Sequence, residues 1–481
     1  MKKTEEQINV HSAMKEKTSN LLIEAVAGSG KTTTIVAGAQ YVPANSMFIA
    51  FNKAIASELS DRLPNHVKAS TFHALGLGFL RQRLPKGMKV DAYKVLRLLD
   101  SYPRDLKESK RNIARLVGIG KNLGINLVME DTLEEWEAIM ENHDLTPIGD
   151  NPEEVDKELF LEAARETFAL TTKDISVIDF DDMLYLTLHF IQKHGWKPPQ
   201  IPCIIIDEVQ DTNLLQMHIL RHFTSRVIGV GDAYQAIYGF RGAGIDSMIN
   251  FQNFFKTENY PLSYTFRCAS KVVKEAQSLN PAIKARPNAP EGIVTESRIV
   301  DQVYDYCGGT DLIICRNNAP LIGVALKLLK QKRPFRMSGK YPAQLEAFVK
   351  RFKAQHIQMF RVRLKDWWDS VREELTEKQK WGALQREEDK FESLWALQSE
   401  STDMTDLFSK LRYMMNNTTG IHIASIHASK GLEADNVHFL YPEFIPSKYA
   451  IKDWQVQQED NLYYVGVTRA KSELHFYYGK K

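Results

Sequence analysis

The run Cys-Ile-Ile-Ile at 203–206 is apolar on both sides of the pleat and ends on two acids, Asp207 and Glu208. A strand with apolar side chains pointing both ways needs cover on both faces, which a parallel sheet flanked by helices provides. Short runs of the same kind recur as NLLIEAV (20–26), SMFIAF (46–51), RVIGVGD (226–232), DLIICR (311–316) and IHIASI (421–426). Helical patterns lie between them, and that alternation predicts a doubly wound α/β fold.

The spacing of these runs is uneven. From about 80 to 175 the sequence is charged and helical in pattern, with DLKESKRNIARLVGIGKNLG and DTLEEWEAIMENHDL and no convincing strand. It reads as a helical insert, and 346–415 reads as a second, shorter one. With 481 residues the chain exceeds what one core usually holds, so at least two domains are expected. The proline-rich stretch 279–294 is a loop inside the second domain. The segment KRFKAQHIQMFRVRLKDWWDS, basic and bearing two Trp, is either an amphipathic helix packing its Trp residues or a surface for duplex DNA.

A formal net charge of +2 does not by itself mark a nucleic-acid binder, so any polyanion has to meet a local basic groove. Cys203, Cys268, Cys307 and Cys315 form no Cys-x-x-Cys pair and predict plain thiols, not a metal site. The start MKKTEEQINVHS turns polar at once, and no apolar run reaches the roughly 18 residues of a membrane span. An intracellular, soluble protein without membrane association is expected.

Between the first apolar run and the next helical pattern lies AVAGSGKT, 25–32, a phosphate loop with Ala in place of the first Gly. Gly28 and Gly30 let backbone N–H groups curl around phosphate oxygens, and the helix that follows adds its positive end. Ala27, Gly28, Ser29, Gly30, Lys31, Thr32 and Thr33 are the residues expected around a nucleotide. Lys31 would neutralise the β- and γ-phosphates, and Thr32 would hold Mg²⁺. Asp207, at the end of a buried strand, can reach the same ion, while Glu208 is suited to deprotonate the attacking water. Two adjacent acids can also be a helix cap and its neighbour, although a phosphate loop elsewhere in the chain favours hydrolysis of a bound nucleotide.

Six ordered stretches, AVAGSGKT, IIIDEVQD, VGDAYQAIYGFRGA (230–243), YTFRCA (264–269), SIHASKGLEADNV (425–437) and NLYYVGVTRAK (461–471), resemble the motifs of UvrD/Rep/PcrA-like superfamily one helicases. AFNKAIA, STFHALG and the last motif are also similar to the F-box DNA helicase branch. The resemblance implies two RecA-like motor domains in tandem. The first would span 1–80 and 175–258 with helical insert 81–174, and the second 259–345 and 416–481 with reduced accessory insert 346–415.

It also implies roles. Gln7 would read the adenine edge and Phe266 would stack on the base, though Gln7 could be an exposed residue beside a helix and Phe266 core. Arg267 and Arg469 would reach the γ-phosphate, Gln235 would sense it, and Glu433 would bind the ribose. Asn52, Lys53, Thr71, Phe72, His73, Tyr238, Phe240, Arg241 and His427 would line a single-stranded DNA path. Two places depart from the pattern: Ala50-Phe51 replace an aromatic and a threonine, and Asp460-Asn461 replace a pair of arginines.

The implied activity is an ATP- and Mg²⁺-dependent DNA helicase that moves 3′ to 5′ on single-stranded DNA and opens single-strand/duplex junctions in replication, recombination or repair. It would act as a monomer. An ATPase that strips proteins from DNA, and a translocase on RNA, are the alternatives. With few residues after VTRAK, a C-terminal nuclease is not expected.

Overall fold

The computed structural model describes residues 3–102, 109–143, 145, 157–237 and 247–479. It divides into two compact units, Met1–Ala25 with Gly30–Leu262, and Val26–Ser29 with Ser263–Lys481.

The strands of the first unit are β1 (Leu21–Ala25), β2 (Ser46–Ile49), β3 (Val67–Ser70), β4 (Lys89–Val90), β5 (Val177–Ile178), β6 (Ile204–Ile206), β7 (Val227–Gly231) and β8 (Glu258–Leu262). Six of them form a parallel sheet in the order β3-β2-β6-β7-β1-β8. The two-sided burial read from 203–208 is realised residue by residue. Cys203 and Ile205 enter one core with Leu21, Ile23 and Phe48, while Ile204 and Ile206 enter the other with Leu22 and Ile49.

That second core continues into the helices between β3 and β6. Ile113, Leu116, Trp136, Phe160 and Phe168 share it with the sheet, so this helical region is not a separate globule. The pair β4–β5, a feature too short for any periodicity to reveal, is parallel. A buried charge network lies nearby. Lys121, fully buried, meets Asp179 and Asp182 at 2.7 Å each, and Lys94 meets Asp182 at 2.8 Å. Burial opposes the Lys121 ammonium, but the two carboxylates more than restore it and its pKa rises. Asp179 and Asp182 also form the capping box of helix Phe180–His194, which leads towards β6. Lys121→Met leaves carboxylates buried without this partner, so urea unfolding should show a loss of about 3–5 kcal/mol.

The second unit has β9 (Tyr264–Thr265) paired with β10 (Lys284–Ala285), and β11 (Ile293–Ile299), β12 (Leu312–Cys315), β13 (Phe335–Met337), β14 (Ile421–Ser425), β15 (Ala434–Leu440) and β16 (Ala470–Tyr478). The last six make a second parallel sheet, ordered β11-β16-β15-β12-β14-β13. Between β13 and β14 run helices Tyr341–Arg351, Ile357–Glu377, Trp381–Ser399 and Met404–Asn416. Phe360, Leu364, Leu394 and Leu407 from these helices share the core of Ile313 and Ile423. Trp368 is buried and stacks on Phe391 with ring centroids 5.1 Å apart, so of the two readings of this Trp-bearing segment the packed helix is the one observed for Trp368. Among the described residues no helix is long and apolar enough to cross a membrane.

Candidate functional site

Strand β1 hands the chain to a loop in which Gly28 and Gly30 have φ of 72° and 74°. That left-handed backbone is open to glycine at little cost. The loop tightens through the Ser29 N–H, which donates to the Val26 carbonyl at 3.2 Å, and helix Lys31–Gly38 starts directly after Gly30. Ala27 and Ser29 are buried and Thr33 is exposed; among the described residues the Ser29 hydroxyl is buried without a protein partner.

Strand β6 ends at the carboxylate pair. Glu208 has φ 57°, left-handed for a non-glycine residue, a strain of order 1–3 kcal/mol. Its N–H donates to Asp207 Oδ1 at 2.9 Å, and its carbonyl accepts from the Asp211 N–H at 2.9 Å. The turn delivers Glu208 Oε1 to Lys31 Nζ at 2.7 Å, while the Thr32 hydroxyl donates to Asp207 Oδ2 at 2.9 Å. Four residues proposed from motif spacing therefore meet in one cluster.

Burial, then the neighbouring charge of Glu208, pushes Asp207 up to about 6, against the pull of Lys31 and Thr32. Burial also disfavours the Lys31 ammonium, but the charges of Glu208 and Asp207 outweigh it and raise the Lys31 pKa. Crowded carboxylate oxygens beside a hydroxyl are the hard donor set that suits Mg²⁺. Thr32 and Asp207 fit such an ion.

Two further residues, not foreseen from the motifs, extend the cluster. Gln210, 1% exposed, donates its amide to Glu208 Oε2 and accepts from the Asp232 N–H at 3.1 Å. Asp232 in turn accepts from Gln235 Nε2 at 2.7 Å and the Tyr234 N–H at 3.1 Å. Burial pushes Asp232 up to about 6. A Cβ on Gly231 would lie 2.5 Å from Gln210 Oε1, so the strand end must be glycine for this link to close. The route from Glu208 to Gln235 thus runs through two buried polar groups. The available signal was the rule that such groups find partners.

Gln7 completes a capping box with Thr4 at the start of helix Glu5–Glu16, and its Nε2 donates to Thr34 Oγ1 at 3.2 Å, on the helix that follows the phosphate loop.

A cavity of about 840 Å³ adjoins the carboxylates. Asn52, Phe72 and His73 line it together with Asp207 and Glu208. Asn52 caps helix Lys53–Ser60 through Ile55 N–H at 2.9 Å, and Thr71 caps helix Phe72–Arg81 through Ala74 N–H at 3.2 Å. Lys53 is exposed. Burial pushes the His73 imidazole down, which favours its neutral form. Tyr238, Phe240 and Arg241 lie outside the described residues.

In the second unit, Arg267 Nε meets Glu433 Oε2 at 2.7 Å and its Nη1 donates to the Thr468 carbonyl at 3.2 Å. Partial burial opposes ionisation of Glu433, but Lys471 and Arg267 overcome it and hold the carboxyl below its usual range. Arg469, 1% exposed, donates to the carbonyls of Val465 at 2.8 Å and Leu432 at 3.0 Å. Arg267, Glu433 and Arg469 are thus gathered around the ends of one helix and one loop, with Phe266 half-buried beside them in sequence. Burial, and then Arg316, pushes His427 down to about 3, so its imidazole is neutral.

Residues 5–256 match the model of the UvrD/REP helicase N-terminal domain, and 244–481 the model of the UvrD-like helicase C-terminal domain. The chain is 28% identical to ATP-dependent DNA helicase PcrA of Leuconostoc citreum over 60% of its own length and 41% of that protein. It is 26% identical to F-box DNA helicase protein 1 of Schizosaccharomyces pombe over 94% of its own length and 55% of that protein. It is 27% identical to DNA helicase II of Escherichia coli over 54% of its own length and 38% of that protein. The chain therefore spans roughly two fifths to just over half of these relatives.

Proposed function

From the premise that this chain belongs to the UvrD-like helicase family, we propose that it is an ATP-dependent DNA helicase that moves 3′ to 5′ along single-stranded DNA and opens duplex at a single-strand junction. Replication, recombination or repair is the setting that reading implies, with the protein acting as an intracellular monomer. One observation carries it. Lys31, Thr32, Asp207 and Glu208 are engaged with one another at the edge of the cavity that Asn52, Phe72 and His73 also line.

Substrate ATP would lie in the loop 27–33, with its β- and γ-phosphates against Lys31 and the backbone N–H groups. Thr32 and Asp207 would hold Mg²⁺, which when bound screens the phosphate charge. Glu208 takes the proton of the attacking water, a role that its left-handed turn and its bond from Gln210 pre-orient. Gln235, tied to Glu208 through Asp232 and Gln210, reports the state of the γ-phosphate. Arg267 and Arg469 would stabilise charge on the transferring phosphoryl group, and Glu433, which positions Arg267, would bind the ribose. Gln7 and Phe266 would take the adenine.

On the strand side, Phe72 would offer a stacking face and the neutral His73 a hydrogen bond to a base. Phe72→Ala should raise the DNA concentration for half-maximal ATPase stimulation about 5- to 100-fold, with basal turnover unchanged. Titration of the ATPase with an oligonucleotide measures it. The direct test is strand displacement with Mg²⁺ and ATP on duplexes carrying a 3′ or a 5′ tail. Release from the 3′-tailed substrate alone is expected; release from neither ends the helicase reading.

A further inference from the structure

Besides the apolar core they share with the second sheet, the accessory helices hold a helix start and a loop of this unit through two adjacent acidic residues. Helix Ala319–Lys330 follows β12 and receives no cap bond from its own N-cap residue, Asn318. The missing acceptor comes from helix Trp381–Ser399. Asp389 accepts from the Ala319 N–H at 2.7 Å, the Asn318 N–H at 3.1 Å and the Asn318 side-chain amide at 2.9 Å. A carboxylate there satisfies orphan N–H groups and suits the positive helix end.

Its neighbour Glu388 reaches a different loop. The Tyr449 hydroxyl donates to Glu388 Oε2 at 3.0 Å, and Lys448 Nζ lies 3.3 Å from the same carboxylate. The Trp381 ring stacks on Tyr449, with planes 13° apart. Successive residues of a helix point about 100° apart, which lets one pair of acids hold two loops.

Both loops end on one buried carboxylate. Arg316, two residues before Asn318, makes a forked contact with Glu459, its nitrogens 2.7 to 3.0 Å from the oxygens. The Ser447 N–H, two residues before Tyr449, donates to Glu459 Oε2 at 3.2 Å. Glu459 is 4% exposed and belongs to helix Asp453–Val467, which ends two residues before Arg469 and whose Val465 carbonyl accepts from the Arg469 guanidinium.

We infer that the accessory helix Trp381–Ser399 is a brace for helix Asp453–Val467, which leads to Arg469, with Glu388 and Asp389 as positioning residues that fix Glu459 from two sides and so hold Arg469 in place. The inference rests on the ATPase reading for its effect on turnover. Its effect on structure does not depend on that reading.

Hydrogen exchange on the full chain, paired with steady-state ATP hydrolysis in saturating single-stranded DNA, tests it. In Asp389→Ala, and more so in the double variant with Glu388→Ala, amides in 316–319 and 445–467 should exchange about fivefold faster or more. The kcat should fall about fivefold or more with KM for ATP within about twofold, since a transition-state contact is being loosened. Asp389→Asn, which keeps one acceptor oxygen, should recover much of both. If the double variant does not fold, Tyr449→Phe deletes a single hydroxyl and should quicken exchange in 447–456 alone. Faster exchange confined to 341–416 overturns the brace, as does faster exchange in 445–467 with unchanged kcat. A wild-type chain that does not hydrolyse ATP overturns the proposed function instead, and the exchange data still decide the brace.

Discussion

Glu208→Gln should lower kcat for ATP hydrolysis by about 10²–10⁴-fold, the range a positioned general base contributes. The substitution is nearly isosteric, and the glutamine can still accept the bond from Gln210 that Glu208 Oε2 accepts. It also removes the charge that pairs with Lys31 at 2.7 Å. Asp207, whose proton affinity is raised in part by Glu208, should ionise more easily in the variant. ATP binding, read by a fluorescent nucleotide, should therefore survive while turnover is lost. Lys31→Ala should also abolish turnover, but with weakened nucleotide binding, because its charge opposes those of Glu208, Asp207 and Asp232. Near-normal hydrolysis in Glu208→Gln would remove the residue from the catalytic assignment.

Arg267→Ala should cost about 10³–10⁵ in kcat, the effect of losing an arginine that stabilises a transferring phosphoryl group. Arg267 suits the measurement better than Arg469, whose fully buried guanidinium also satisfies the carbonyls of Val465 and Leu432. Glu433 keeps Lys471 at 2.9 Å when Arg267 is removed, so the loop around it should stay folded. Arg267→Lys should not restore turnover, because an ammonium lacks the planar fork. Single-turnover hydrolysis separates this loss from any change in nucleotide affinity. A modest change in kcat would reduce Arg267 to an ion-pair partner of Glu433.

How much was legible in the sequence depends on whether the signal was local. The run Ile204–Ile206 dictates burial on both faces of its strand, and the structure sorts its side chains into two cores accordingly. The glycine loop and the acids after β6 are likewise short-range features, and Lys31, Thr32, Asp207 and Glu208 come together although about 175 residues separate them. The link from Glu208 to Gln235 was not legible, because Gln210 and Asp232 look like ordinary loop residues until their burial demands partners. The same holds for Lys121, a lysine in a helical pattern whose buried partners lie about 60 residues away. Asn52 and Thr71, read from the resemblance as strand contacts, also cap the helices that follow them, a second use that the residue type allows at any loop-to-helix step. The pairing of β4 with β5 involves two residues on each side, below the length at which an alternating pattern exists.

A motor of this kind requires that a nucleic-acid strand drive the hydrolytic cluster. Steady-state ATP hydrolysis measured against increasing single-stranded DNA, with RNA of the same sequence in parallel, tests that most directly. A saturable rise in kcat with DNA, larger than with RNA, is the predicted result; turnover that stays the same at every DNA concentration would contradict it.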